Sequence, residues 1–316
     1  MSSSRLFTSP TKPLITFIIN AVTAHRLKYH SHDPCAPPVF VGLQGPPGIG
    51  KSTLAKQIYD HLSSPPNDLL SIFLSLDDLY LTRSDQLKLQ EDYPNNSLFH
   101  GRGLPGTHDL PLTQRVIYAL ENVNALRKIQ VPRYDKSVHN GLGDRAGFEE
   151  ITVPKGRKVD LVIFEGWMVG FSPLPSHLLK SLYNDVIQMS KGQNTNSCPF
   201  MTRYPVENLI QMNEKLAEYK EKIWPYLGSL ITLVPNDFAF VCKWRQQEKQ
   251  EMKARNGGVG MSDEAVEEFV ARYMPCFELY CRQENLPDQC LFQAWQGRGL
   301  RVIMDQDRQV LDTTLF

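Results

Sequence analysis

Gly45-Pro-Pro-Gly-Ile-Gly-Lys51-Ser52 has the spacing GxxxxGK[ST]. Glycines at these intervals let successive backbone N–H groups converge on one centre, and a lysine and a hydroxyl follow at once. The chemistry is capture of a nucleoside triphosphate. Gly45, Gly48, Ile49, Gly50, Lys51, Ser52 and Thr53 are the candidate ATP- and phosphate-binding residues. Lys51 reaches the β- and γ-phosphates and Ser52 offers a hard oxygen to Mg²⁺.

Two acidic positions complement that loop. Asp77-Asp78 follows the apolar run Leu70–Leu76, and Glu165 follows Asp160–Phe164. A carboxylate beside the γ-phosphate can orient a hydroxyl and accept its proton, and a second can hold Mg²⁺. Asp77 is assigned the first role and Glu165 the second. Phosphoryl transfer also needs cations around the moving phosphate. Arg102, His108, Arg133, Lys136 and Arg145 lie in Gly- and Pro-rich segments. Arg245 stands near the start of an expected lid.

These residues need a frame, and the pattern around them supplies one. Val39–Leu43, Leu70–Leu76, Asp160–Phe164, Gly228–Val234 and Gly299–Met304 read as strands. Stretches at 52–62 and 111–128 read as helices. Alternating strands and helices predict a parallel sheet covered on both faces. Ligands of such a sheet bind beyond the carboxyl ends of its strands, where Asp77 and Glu165 fall. Segments 100–109 and 132–147 read as loops. A helix over 14–29, a polar insertion near 185–203 and a charged helix over 238–255 complete the reading. The expected organisation is an N-terminal extension at 1–38 and a single domain at 39–316. That domain carries an insertion around 185–225 and a lid around 238–262.

Lys plus Arg number 34 and Asp plus Glu number 34, so bulk charge favours neither a nucleic-acid nor a membrane partner. No NKxD motif selects guanine, and no second domain suggests a helicase. None of the six cysteines forms a CxxC pair, which fits a reducing compartment. A cytoplasmic location follows, with nuclear access open. The first 32 residues lack acids and carry four Lys or Arg, so mitochondrial import is the alternative. A monomer is plausible.

Several strings resemble the D-glycerate 3-kinase family, within the phosphoribulokinase, uridine kinase and pantothenate kinase group. They are Gly42–Gly45, Ser75–Tyr80, Arg102–Asp109, Pro132–Ser137, Gly143–Arg145, Phe164–Phe171, Asn213–Leu216, Lys243–Glu248 and Gly260–Glu264. The resemblance implies a three-layer α/β/α P-loop NTPase fold with a parallel sheet and a helical lid. It implies ATP with Mg²⁺, and a small hydroxy-acid or sugar-like acceptor. On it, Asp77 is the general base and Arg245 a lid arginine. Arg102, His108, Arg133, Tyr134 and Lys136 are the acceptor-side residues. One departure stands out: Leu142 occupies a position where a charged residue, often Arg, is expected.

The expected function is transfer of the γ-phosphoryl group of ATP to a hydroxyl of a small anionic acceptor, with D-glycerate first. The alternatives are another acceptor (a nucleoside, pantothenate or a sugar type) and an ATP-binding regulatory protein without turnover.

Overall fold

Side-chain alternation decides which face of the sheet each residue serves. In β1 (Val39–Gln44), Val39, Val41 and Leu43 belong to one core and Phe40 to the other. The computed structural model describes residues 11–29, 33–190, 199–241, 243, 244, 247, 263–281 and 293–316. One core takes α1 (Thr11–Arg26), through Leu14, Ile18 and Val22, and α2 (Lys51–Leu62), through Leu54 and Ile58. Beyond α2 come β2 (Leu70–Ser75), α3 (Arg83–Asp92), α4 (Leu110–Glu121), the single turn α5 (Val123–Leu126) and the hairpin β3 (Lys128–Asp135) and β4 (Asp144–Thr152). Then follow β5 (Val159–Gly166), α6 (Ser176–Ser190), α7 (Val206–Lys222), β6 (Ser229–Pro235), α8 (Asp263–Tyr280), β7 (Gly299–Met304) and β8 (Val310–Leu315). The opposite core takes α4, α7 and α8 through residues such as Ile117, Leu216 and Phe277. The result is a three-layer α/β/α fold.

The main sheet has the order β2-β5-β1-β6-β7-β8. Its first five strands are parallel, and β8 returns antiparallel to β7. The expected parallel sheet is therefore present, with one antiparallel strand added at its edge. β8 is a half-exposed edge strand, with Leu311 54% and Leu315 70% exposed, so its apolar signal is diluted.

Two expectations change. The helix over 111–128 ends at Glu121: the Asn122 side chain bonds the Tyr118 carbonyl, and Arg127 takes a left-handed φ of 64° before β3 begins. Segment 132–147 is a two-stranded ribbon joined by a turn. In β3 the buried apolar residues are Ile129, Val131 and Pro132, so its strand period is short. Register shifts between Pro132 and Tyr134, where a missing N–H is tolerated. The 14–29 helix runs over Thr11–Arg26, and Arg26 bridges to Asp160 at 2.7 Å. The polar insertion is helical to Ser190, with 191–198 outside the described residues. Most of the expected lid over 238–262 also lies outside them, as does Arg245.

Candidate active site

The phosphate loop joins β1 to α2. Gly48 and Gly50 have φ of 83° and 96°, a region that costs other residues. Space is short as well: a Cβ on Gly48 would lie 2.5 Å from Trp244 Cβ. Ile49 between them is fully buried and anchors the loop in the α1–α2 core. Ser52 and Thr53 lie in the first turn of α2, whose amides point back into the loop. Lys51 Nζ donates to the loop's own Gly45 and Pro46 carbonyls at 2.8 and 3.2 Å.

Sheet register brings the acids toward this loop. Leu43 pairs with Glu165, and Ser75 pairs with Glu165 on the other side. Ser75 Oγ donates to Glu165 Oε1 at 2.6 Å and accepts the Asp77 amide at 3.3 Å. One serine thus links the two carboxylate positions that follow β5 and β2.

The adjacent aspartates do different work. Lys136 Nζ donates to Asp77 Oδ2, and Tyr80 OH donates to Asp77 Oδ1 at 2.7 Å. Burial would raise the Asp77 carboxyl, but the Lys136 ammonium and these hydrogen bonds outweigh it and hold it well below the usual carboxylate range. Burial likewise opposes the charge on Lys136, yet Asp77 keeps its pKa above the ordinary value. Asp78 turns toward the ribbon, accepting Arg133 at 2.9 Å and the Tyr134 amide at 3.0 Å. Arg133 also pairs with Glu149, so it braces the ribbon and does not join the Asp77 cluster.

The loop from Arg102 to Asp109 closes the other side. Arg102 reaches the ribbon turn, donating to the Gly141 and Leu142 carbonyls at 2.7 and 2.6 Å, with Tyr134 beneath its guanidinium at 5.8 Å. Leu142 therefore contributes its backbone to Arg102 while its side chain is half exposed. His108 is buried and stacks on Tyr80 at 4.5 Å, and its Nδ1 lies 2.8 Å from Tyr219 OH. Arg145 bonds Asp109 and the Tyr80 carbonyl, tying the ribbon to the turn after β2. Asp77, Tyr80, Arg102, His108, Tyr134 and Lys136 form one cluster.

Residues outside the expected set complete it. Trp167 Nε1 holds the Gly103 carbonyl at 2.9 Å. From α8, Arg272 donates to the His100 and Arg102 carbonyls. Arg308, in the β7–β8 turn, donates to the Gly48 carbonyl at 2.7 Å and covers the Trp244 ring at 5.3 Å. Trp167 lies in the Phe164–Phe171 string, whereas Arg272 and Arg308 have no local signal, because each acts on a backbone carbonyl distant in sequence.

The Ser52 hydroxyl and the Glu165 carboxylate are hard oxygen donors, a set that fits Mg²⁺. A carboxylate held ionised, a ring of cations and a P-loop together suit transfer of a phosphoryl group to a hydroxyl. No helix among the described residues is long and apolar enough to cross a membrane. Of the described cysteines, Cys35, Cys276 and Cys281 are free thiols.

Comparison with known proteins agrees with this chemistry. No family model matches the chain. It is 37% identical over 254 residues to the probable ATP-dependent kinase TDA10 of Saccharomyces cerevisiae, covering 77% of this chain and 78% of that protein. It is 31% identical over 269 residues to the chloroplastic D-glycerate 3-kinase of Arabidopsis thaliana, covering 85% and 53%. A solved D-glycerate 3-kinase from Cryptococcus neoformans var. grubii superimposes with a TM-score of 0.84 at 35% identity, covering 98% and 99%. The chain belongs to the D-glycerate 3-kinase family and is an ATP-dependent small-molecule kinase with an alcohol group as acceptor.

Proposed function

We propose that the acceptor is D-glycerate, phosphorylated at its 3-hydroxyl. The observation that carries this is the Asp77–Lys136 pair flanked by Arg102. An ionised base stands beside two cations suited to a small carboxylate. The relatives named as D-glycerate 3-kinases support the same choice.

In this reading Lys51 turns from the Gly45 and Pro46 carbonyls to the β- and γ-phosphates, and the amides of Gly48 to Thr53 hold the remaining oxygens. Asp77 orients the 3-hydroxyl and takes its proton as the phosphoryl group moves. Arg102 and Lys136 hold the acceptor carboxylate. Tyr134 supports Arg102, and Arg133 keeps the ribbon in place. Ser52 and Glu165 would hold Mg²⁺, which neutralises phosphate charge when bound. The free thiols support a reducing, cytoplasmic location.

Leu142 favours a second reading, a less charged acceptor, because an apolar side chain stands at the rim beside Arg102. A coupled assay of ATP consumption across hydroxy acids, nucleosides, pantothenate and sugars separates the two. D-glycerate should give the highest kcat/KM. Faster turnover of a neutral sugar or nucleoside would replace it.

A further inference from the structure

Tyr219, on α7, is fully buried, and its hydroxyl meets the loop that precedes α4. The oxygen accepts the Gly106 N–H at 3.0 Å and lies 2.8 Å from His108 Nδ1. A phenol accepts two hydrogen bonds and donates one. The Gly106 N–H fills one lone pair, and among the described residues His108 Nδ1 is the hydroxyl's other partner, so the buried phenol proton goes to Nδ1. The proton of the neutral ring then sits on Nε2.

Burial keeps that ring neutral, moving its pKa down from 6.5 to about 3 despite the nearby Asp77 charge. Nε2 is buried and meets no hydrogen-bond partner among the described residues. A buried donor left unpaired is costly, and such groups persist where function uses them. The His108 ring lies against Tyr80, whose hydroxyl donates to Asp77, so this donor stands beside the expected base.

We propose that His108 donates Nε2–H to a second oxygen of the phosphoryl acceptor, and that Tyr219 is the positioning residue that fixes the tautomer. This rests on the kinase reading above. A neutral donor reads an oxygen lone pair and not a charge. It therefore selects an acceptor with a hydroxyl next to the reacting one, a 2-hydroxy acid in preference to a simple ω-hydroxy acid. The carboxylate is left to Arg102 and Lys136.

The test is an ¹⁵N–¹H correlation spectrum of full-length protein labelled at histidine, together with steady-state kinetics. At neutral pH the His108 ring should show a protonated Nε2 and a bare Nδ1. In Tyr219→Phe the ring should lose that single tautomer. The KM for D-glycerate should rise about 10-fold, the worth of one hydrogen bond, while the KM for ATP holds. Wild type should prefer D-glycerate over 3-hydroxypropionate. His108→Leu should reduce that preference about 10-fold, and His108→Gln, which keeps a donor, should restore part of it. A protonated Nδ1 in wild type overturns the inference alone, and that spectrum decides even if the variants fail to fold. Unchanged discrimination in a folded His108→Leu protein also overturns it. Absence of phosphorylation of any hydroxy acid by wild type overturns the kinase reading, and this inference with it.

Discussion

Lys136, just after β3, donates its Nζ proton to Asp77 Oδ2 in the turn after β2, across 59 residues of chain. The pair ties the ribbon to the sheet and sets the charge of the residue proposed as the base. With Tyr80 on the other oxygen, Asp77 stays ionised through the physiological range.

Asp77→Asn removes the proton acceptor and little volume. Turnover should fall by about 10²- to 10⁴-fold, the usual worth of a positioned base. ATP affinity should stay near wild type, because the phosphate loop is untouched. Parallel kcat and calorimetric ATP titrations check both. Unchanged turnover would remove Asp77 from the role.

Lys136→Ala takes away the cation that holds the Asp77 pKa down. The carboxyl then titrates at higher pH, and a base must be ionised to act. The acid limb of kcat/KM should therefore move to higher pH, with a weaker KM for the anionic acceptor. A pH–rate profile reads both effects, and an unmoved acid limb would show that the pair does not tune the reaction.

Gly48→Ala tests the phosphate loop. Its φ of 83° costs a non-glycine residue about 1–2 kcal/mol, and Trp244 Cβ stands 2.5 Å from the added carbon. ATP affinity should drop by at least about 10-fold, since 1.4 kcal/mol is a factor of 10. Fluorescence titration or calorimetry measures it.

His108 predicts how stability follows pH. Below 6.5 the unfolded chain binds a proton at this residue that the folded chain refuses until about pH 3. The unfolded state binds more protons in that window, so stability should fall as pH drops from 6.5 toward 3. The slope from this residue reaches up to about 1.4 kcal/mol per pH unit. Denaturant melts of wild type and His108→Gln across that range should differ in slope, and equal slopes would contradict the buried neutral ring.

The sheet and phosphate loop were readable because their signals are local: apolar runs, a glycine spacing, acids at strand ends. Asp77 is singled out in the sequence, but the reason that it and not Asp78 is held ionised is not legible there. The two are adjacent and chemically identical, and only the ribbon's position decides that one meets Lys136 and the other Arg133. The ribbon itself was hidden because exposed β4 carries little strand period. The family strings mix chemistry with packing. Asn213, from one of them, spends its amide on the Leu174 backbone and on Tyr280. Arg272 and Arg308 carry no motif, since their partners are carbonyls brought near by the fold.

The most direct test of D-glycerate as the acceptor is ³¹P NMR of the product formed from MgATP and D-glycerate by purified protein, with Asp77→Asn as control. The account predicts a phosphate monoester on the 3-oxygen, formed by wild type and nearly lost in the variant. ATP consumed without that ester, or the ester formed equally by both proteins, would contradict it.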